Sequence, residues 1–207
     1  MALWIEEGDT QTVLPAGVQK VIAIAASTGG VSALETIIAT FPANIPPVLL
    51  VQHMPNGFTK MFAARMDSKF TVSVKEAETG DTLIPGRVLI APAGKHMRLI
   101  KHGNNLSIEC FEGERVQYVI PSADVLFETV AEYVRDRAIG VVLTGMGADG
   151  ARGLLAMRNA GAKTIGQDKE TSAVYGMPKM AFEMGGVEHV LPLDEISDKI
   201  LSLCGLR

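Results

Sequence analysis

The apolar residues of this chain are distributed in two ways. Short unbroken runs occur at VIAIAA (21–26), VLLV (48–51), VLIA (88–91) and IGVVL (139–143). Unbroken runs of this length predict strands covered on both faces, as in a parallel sheet, rather than strands with one wet face. Between them the apolar positions recur at helical spacing, which predicts helices over Val31 to Phe41, Gly57 to Lys69, Pro121 to Arg137, Asp149 to Ala160, Pro178 to Met184 and Asp194 to Leu203. In the third of these, Ser122 is the expected N-cap and Asp124 lies in the first turn, where a carboxylate suits the helix dipole.

Two further segments, TVSVKEA and KTIGQD, read as strands, and MRLIKHGNNLSIECF reads as two alternating strands joined at Gly103-Asn104-Asn105. Strands that alternate with helices predict an α/β fold: a doubly wound, mainly parallel sheet with helices on both faces, a Rossmann-like three-layer sandwich carrying one antiparallel hairpin. Ligands of such sheets bind at the carboxyl ends of the strands. The length of 207 residues suits one domain. Residues 1–19 lack a sustained period and read as a leader or linker, with the domain proper over 20–207.

Composition narrows the function. The chain is 47% hydrophobic and its mean hydropathy is +0.23, yet no apolar stretch approaches the roughly 18 residues of a membrane span. No basic, apolar leader opens the chain, so the expectation is a cytoplasmic protein without membrane insertion. A net charge of -4 and a pI near 5.6, with no Lys/Arg cluster to offset them, exclude nucleic acid as an expected partner. Cys110 and Cys204 have no metal-ligand spacing and read as reduced structural thiols. The four histidines form neither H-x-x-x-H nor H-x-H, and neither dinucleotide nor P-loop signatures occur, so no metal and no cofactor is expected.

Three loops that follow predicted strands carry the candidate chemistry. VIAIAA runs into Ser27-Thr28-Gly29-Gly30 and then into a helix, a placement that exposes a hydroxyl above the sheet edge. Ser27 reads either as a nucleophile or as an ordinary N-cap. The next strand ends in His53-Met54-Pro55, and His53 reads either as a candidate base or as a hydrogen-bonded structural histidine. IGVVL ends in Thr144-Gly145-Met146-Gly147-Ala148-Asp149-Gly150, in which Asp149 is either an N-cap or the acid that accepts Nδ1–H of His53 and leaves Nε2 for the serine proton. Asp168, at another strand end, competes for that orienting role.

With these loops placed, the chain resembles the catalytic domain of the chemotaxis protein-glutamate methylesterases, the CheB family of receptor demethylases. The resemblance rests on ASTGG, QHMP, APAGKHM, PSADVLF, LTGMGADGA, MRNAGAKTIGQD, TSAVYGMPK and VLPLDEI, in order. It implies a Ser27, His53, Asp149 triad, with the backbone N–H groups of Thr28 and Met146 as oxyanion donors. It also implies γ-methyl esters of glutamate on the cytoplasmic helices of methyl-accepting chemoreceptors as substrates, with receptor glutamine deamidation as a related activity. Two departures stand out: Ala25 where the family usually has Gly, and Ala93-Gly94-Lys95-His96 where it has GGxH. The resemblance further implies a receiver domain as an N-terminal partner, with the first 19 residues as a linker remnant and constitutive activity without it. The rival readings are another serine hydrolase on the same scaffold and a non-catalytic receptor-binding module. Lys60, Arg65 and Lys69 on the second helix are candidate contacts to acidic receptor helices.

Overall fold

A computed structural model describes residues 14–103 and 105–207. Most of the predicted leader and Asn104 of the predicted turn lie outside the described residues. Nine strands are described: β1 (Val21–Ala26), β2 (Val48–Gln52), β3 (Ser73–Glu76), β4 (Arg87–Ile90), β5 (His96–His102), β6 (Asn105–Phe111), β7 (Ala138–Val142), β8 (Lys163–Gln167) and β9 (His189–Leu191). The helices are α1 (Gly30–Ile38), α2 (Phe58–Lys69), α3 (Ala123–Tyr133), α4 (Ala151–Asn159), α5 (Met177–Glu183) and α6 (Leu193–Leu203).

Seven strands form one sheet in the order β3-β4-β2-β1-β7-β8-β9, and every pairing in it is parallel. The strand order reverses beside β1: β2, β4 and β3 extend to one side, β7, β8 and β9 to the other. A crevice opens at the carboxyl ends where such a reversal occurs. β5 and β6 form a separate antiparallel pair.

The alternation of side chains along β1 divides the core between two layers. Ile22 and Ile24 face the layer of α1, α2 and α6, with Leu34, Ile37, Met66 and Ile196. Ala23 and Ala25 face the other layer, with Leu126, Phe127, Leu154 and the hairpin residues Leu99 and Ile108. Small residues on this second face leave room for bulky side chains from α3. Leu14 and Val18, in the segment whose composition reads as linker, are also buried in this layer. No described helix is long and apolar enough to cross a membrane.

Several helix ends differ from the pattern. α3 stops at Tyr133 rather than Arg137: the chain leaves the helix at Arg135, whose φ is +58°, and continues as a short 3-10 turn over Arg135–Arg137. α1 and α4 begin at Gly30 and Ala151, each after a left-handed glycine, Gly29 at φ 81° and Gly150 at φ 88°. The N-cap readings of Ser27 and Asp149 are therefore corrected, because glycine tolerates the left-handed entry that a side chain resists.

Candidate active site

The sheet register brings the first two loops together. Ala26 pairs with Gln52 and Ala25 with Val142, so Ser27 and His53 follow directly on β1 and β2, and Thr144 follows β7 after Leu143. Ser27 N–H donates to the Thr144 carbonyl at 3.0 Å, and His53 N–H to the Ala26 carbonyl at 3.1 Å. The buried Gln52 side chain ties the two loops: its Nε2 donates to the carbonyls of Ser27 and His53, both at 3.0 Å. A Cβ on Gly30 would sit 2.2 Å from Gln52 Oε1 and 2.7 Å from Ala26 Cβ, so glycine at the start of α1 lets the helix approach the sheet this closely.

Asp149 enters from the loop between β7 and α4 and is 2% exposed. Its Oδ2 lies 2.8 Å from Nε2 of His53 and accepts the Ala123 N–H at 2.7 Å. Its Oδ1 accepts the Ser122 hydroxyl at 2.5 Å and the Asp124 N–H at 3.2 Å. The carboxylate thus caps the neighbouring α3 rather than its own helix. Burial pushes the Asp149 carboxyl up, but the hydrogen bonds from His53, Ser122 and Ala123 together outweigh it and hold the group below its ordinary 3.8.

The ring geometry corrects one detail. Asp149 takes Nε2 of His53, not Nδ1, so Nδ1 is the nitrogen left to act as a base. No hydrogen bond links the Ser27 hydroxyl to His53 in this state, among the described residues. Asp168 is not the orienting acid: its Oδ1 accepts from the backbone N–H and the hydroxyl of Thr171, at 2.9 and 2.6 Å.

The two backbone donors named from the resemblance sit in fixed turns. Thr144 donates its hydroxyl to the Thr28 carbonyl at 2.9 Å and accepts the Val174 N–H at 3.0 Å. The Gly145 carbonyl accepts N–H groups from Gly176 and Met177, at 3.1 and 2.8 Å. In a trans peptide the N–H points opposite to the carbonyl, so Met146 N–H faces away from α5. Neither Thr28 N–H nor Met146 N–H has a protein partner among the described residues.

Beside His53, clefts of about 240 and 740 Å³ share Met54, Pro55, Arg115 and Ile120 in their walls. Of the three cations considered on α2, Arg65 and Lys69 are ion-paired with Glu35 of α1, Lys69 at 2.7 Å. Both cysteines are free thiols, and burial raises each to about 11, so neither is a ready nucleophile. No group of three or more His, Cys, Asp and Glu side chains that could hold a metal ion occurs among the described residues.

Three contributors escaped sequence reasoning: Ser122, Gln52 and His96. Ser122 was visible only as an N-cap, and Gln52 only as the polar end of a strand. His96, placed by sequence in a Pro/Gly-rich loop, opens β5 and is 2% exposed. Its Nδ1 accepts the Ser122 N–H at 3.2 Å and its Nε2 lies 2.8 Å from the Glu114 carbonyl, which requires the Nε2–H tautomer.

The fold and these loops define an α/β domain that gathers a serine, a histidine and a buried aspartate at the switch point of a parallel sheet. The family model described as CheB methylesterase matches residues 22–200. A protein-glutamate methylesterase/protein-glutamine glutaminase of Syntrophotalea carbinolica is 50% identical over 188 residues, 91% of this chain and 53% of that protein. A protein of the same name from Sulfurimonas denitrificans is 52% identical over 188 residues, again 91% of this chain and 53% of that protein. The crystal structure of the Thermotoga maritima CheB methylesterase catalytic domain superposes with a TM-score of 0.86 at 40% identity, covering 89% of this chain and 98% of that one. The chain belongs to the CheB methylesterase family and spans about half the length of the curated relatives it matches.

Proposed function

We propose that this chain hydrolyses glutamate γ-methyl esters on the cytoplasmic helices of methyl-accepting chemoreceptors, with Ser27 as nucleophile, His53 as base and Asp149 as its orienting acid. The observation that supports this most directly is the 2.8 Å contact of the buried Asp149 with His53, which stands one residue beyond the strand that sets it beside Ser27. In the reaction the Ser27 hydroxyl turns to Nδ1 of His53, gives up its proton and attacks the ester carbonyl. The oxyanion is received by the N–H groups of Thr28 and Met146. Methanol leaves with the proton from His53, and a water activated by the same ring hydrolyses the acyl-serine to glutamate.

The names of the relatives include glutamine glutaminase. The same acyl-serine route releases ammonia from a glutamine side chain, so deamidation of receptor glutamine is the second activity assigned to this site. Residues 20–207 form the catalytic unit in this reading, with Leu14 and Val18 of the preceding segment packed into its core.

Methanol release from receptor membranes carrying labelled methyl groups tests the assignment. Loss of a triad nucleophile costs on the order of 10⁶ in kcat, so release by the native chain should vanish in Ser27→Ala. No release from the native chain would overturn the substrate, and release surviving in the variant would overturn the nucleophile.

A further inference from the structure

We propose that Ser122 is a positioning residue for this reaction: its hydroxyl fixes the plane of the Asp149 carboxylate, and through it the ring of His53. The proposal rests on the triad reading above and concerns a side chain that touches neither substrate nor reacting atoms.

A serine at an N-cap ordinarily turns its oxygen back to accept an N–H from the first turn of its helix. Ser122 occupies that position at the start of α3 but makes no such bond. Asp149 has taken the first-turn donors of Ala123 and Asp124 instead, and the Ser122 hydroxyl donates to Asp149 Oδ1 at 2.5 Å. The hydroxyl is therefore not used to start the helix. Among the described residues its one hydrogen bond goes to the carboxylate that holds His53.

The four donors on Asp149 divide evenly. Oδ2 serves His53 and Ala123, and Oδ1 serves Ser122 and Asp124. With Oδ2 held by Ala123 N–H and shared with His53, the Oδ1 pair fixes the remaining tilt of the carboxylate about Cβ–Cγ. Of these two bonds the Asp124 N–H is the longer, at 3.2 Å, so removal of the Ser122 hydroxyl leaves only the weaker bond on Oδ1. Ser122 is itself fully buried and held by its N–H on Nδ1 of His96, whose Nε2–H is anchored on the Glu114 carbonyl. A rigid donor of this kind sets the orientation of Asp149 without moving during turnover. Ser122 lines neither of the clefts beside His53.

The test compares Ser122→Ala with the native chain and Ser27→Ala in methanol release, well below each melting temperature. Misplacement of a reacting group by about 1 Å costs on the order of a hundredfold, so kcat should fall roughly ten- to a hundredfold with KM within about twofold. The low-field proton resonance of the His53–Asp149 hydrogen bond, identified by its loss in His53→Gln, should broaden or disappear in Ser122→Ala. Ser122→Cys retains a weaker donor and should give intermediate values in both measurements; it also replaces the alanine variant if that one does not fold. Native kcat together with a native resonance in Ser122→Ala would overturn the proposal, as would a lowered melting temperature with kcat unchanged. The resonance decides the role of Ser122 even where the native chain releases no methanol, an outcome that would count against the substrate assignment alone.

Discussion

His53 meets Asp149 through Nε2, with 2.8 Å between the nitrogen and Oδ2. A buried carboxylate accepts at that position, so the resting imidazole carries its proton on Nε2 and keeps Nδ1 as the basic nitrogen. Nitrogen-15 shifts of the neutral His53 ring should report this tautomer. A ring protonated on Nδ1 alone would reverse the assignment of its two nitrogens.

The depressed pKa of Asp149 predicts a pH-dependent loss of stability. Its folded value lies below the ordinary 3.8, so over that range the unfolded chain binds more protons and acid favours unfolding. Asp149→Asn should destabilise the fold by about 2–4 kcal/mol at pH 7, because it breaks a buried, fully bonded carboxylate. The gap between native and variant should persist above pH 3.8 and close as the pH falls through the folded value. Denaturant midpoints of native and variant, followed from neutral pH down to about pH 2, give the difference directly.

Asp124 carries the opposite sign. Burial raises its carboxyl above 3.8 and the nearby Asp149 charge adds to the rise, against the hydrogen bonds from Gly153 N–H and Gln117. Its ionisation therefore costs stability as the pH rises from 3.8 through the folded value. Native protein should gain on Asp124→Asn when the solution is acidified through that window. A difference that stays constant with pH would show that Asp124 titrates as in the unfolded chain.

Gly145→Ala tests how tightly the third loop is set against the first. A Cβ there would sit 2.3 Å from Met177 Sδ and 2.7 Å from Ser27 Cβ. Overpacking of this kind costs about 1–3 kcal/mol, and the displaced Ser27 should lower methanol release at least tenfold, on the order expected for a misplaced nucleophile. Gly57→Ala is the control: its φ of +84° strains a side chain, but nothing lies within 4 Å of the added carbon. Its cost should be about 1–2 kcal/mol, with kcat unchanged.

The parallel sheet was legible because strands covered on both faces must be apolar throughout, and VIAIAA and IGVVL are. Ser27, His53 and Asp149 were legible as neighbours because each follows such a strand. What sequence could not supply was partnership across distance. Ser122 reads locally as an N-cap, and its hydroxyl partner lies 27 positions away. Likewise the end of α3 depends on the left-handed Arg135, which no residue preference announces, and the burial of Leu14 and Val18 is hidden in a Pro- and Gly-containing stretch.

The carboxylate that holds His53 is also the cap of α3. One side chain therefore reports on two events, since the first turn of α3 cannot open without releasing Asp149 from half of its donors. Local opening of a helix end requires less free energy than global unfolding. On warming, methanol release should decline while the central sheet is still intact, so that release reports the docking of one helix before it reports the whole fold.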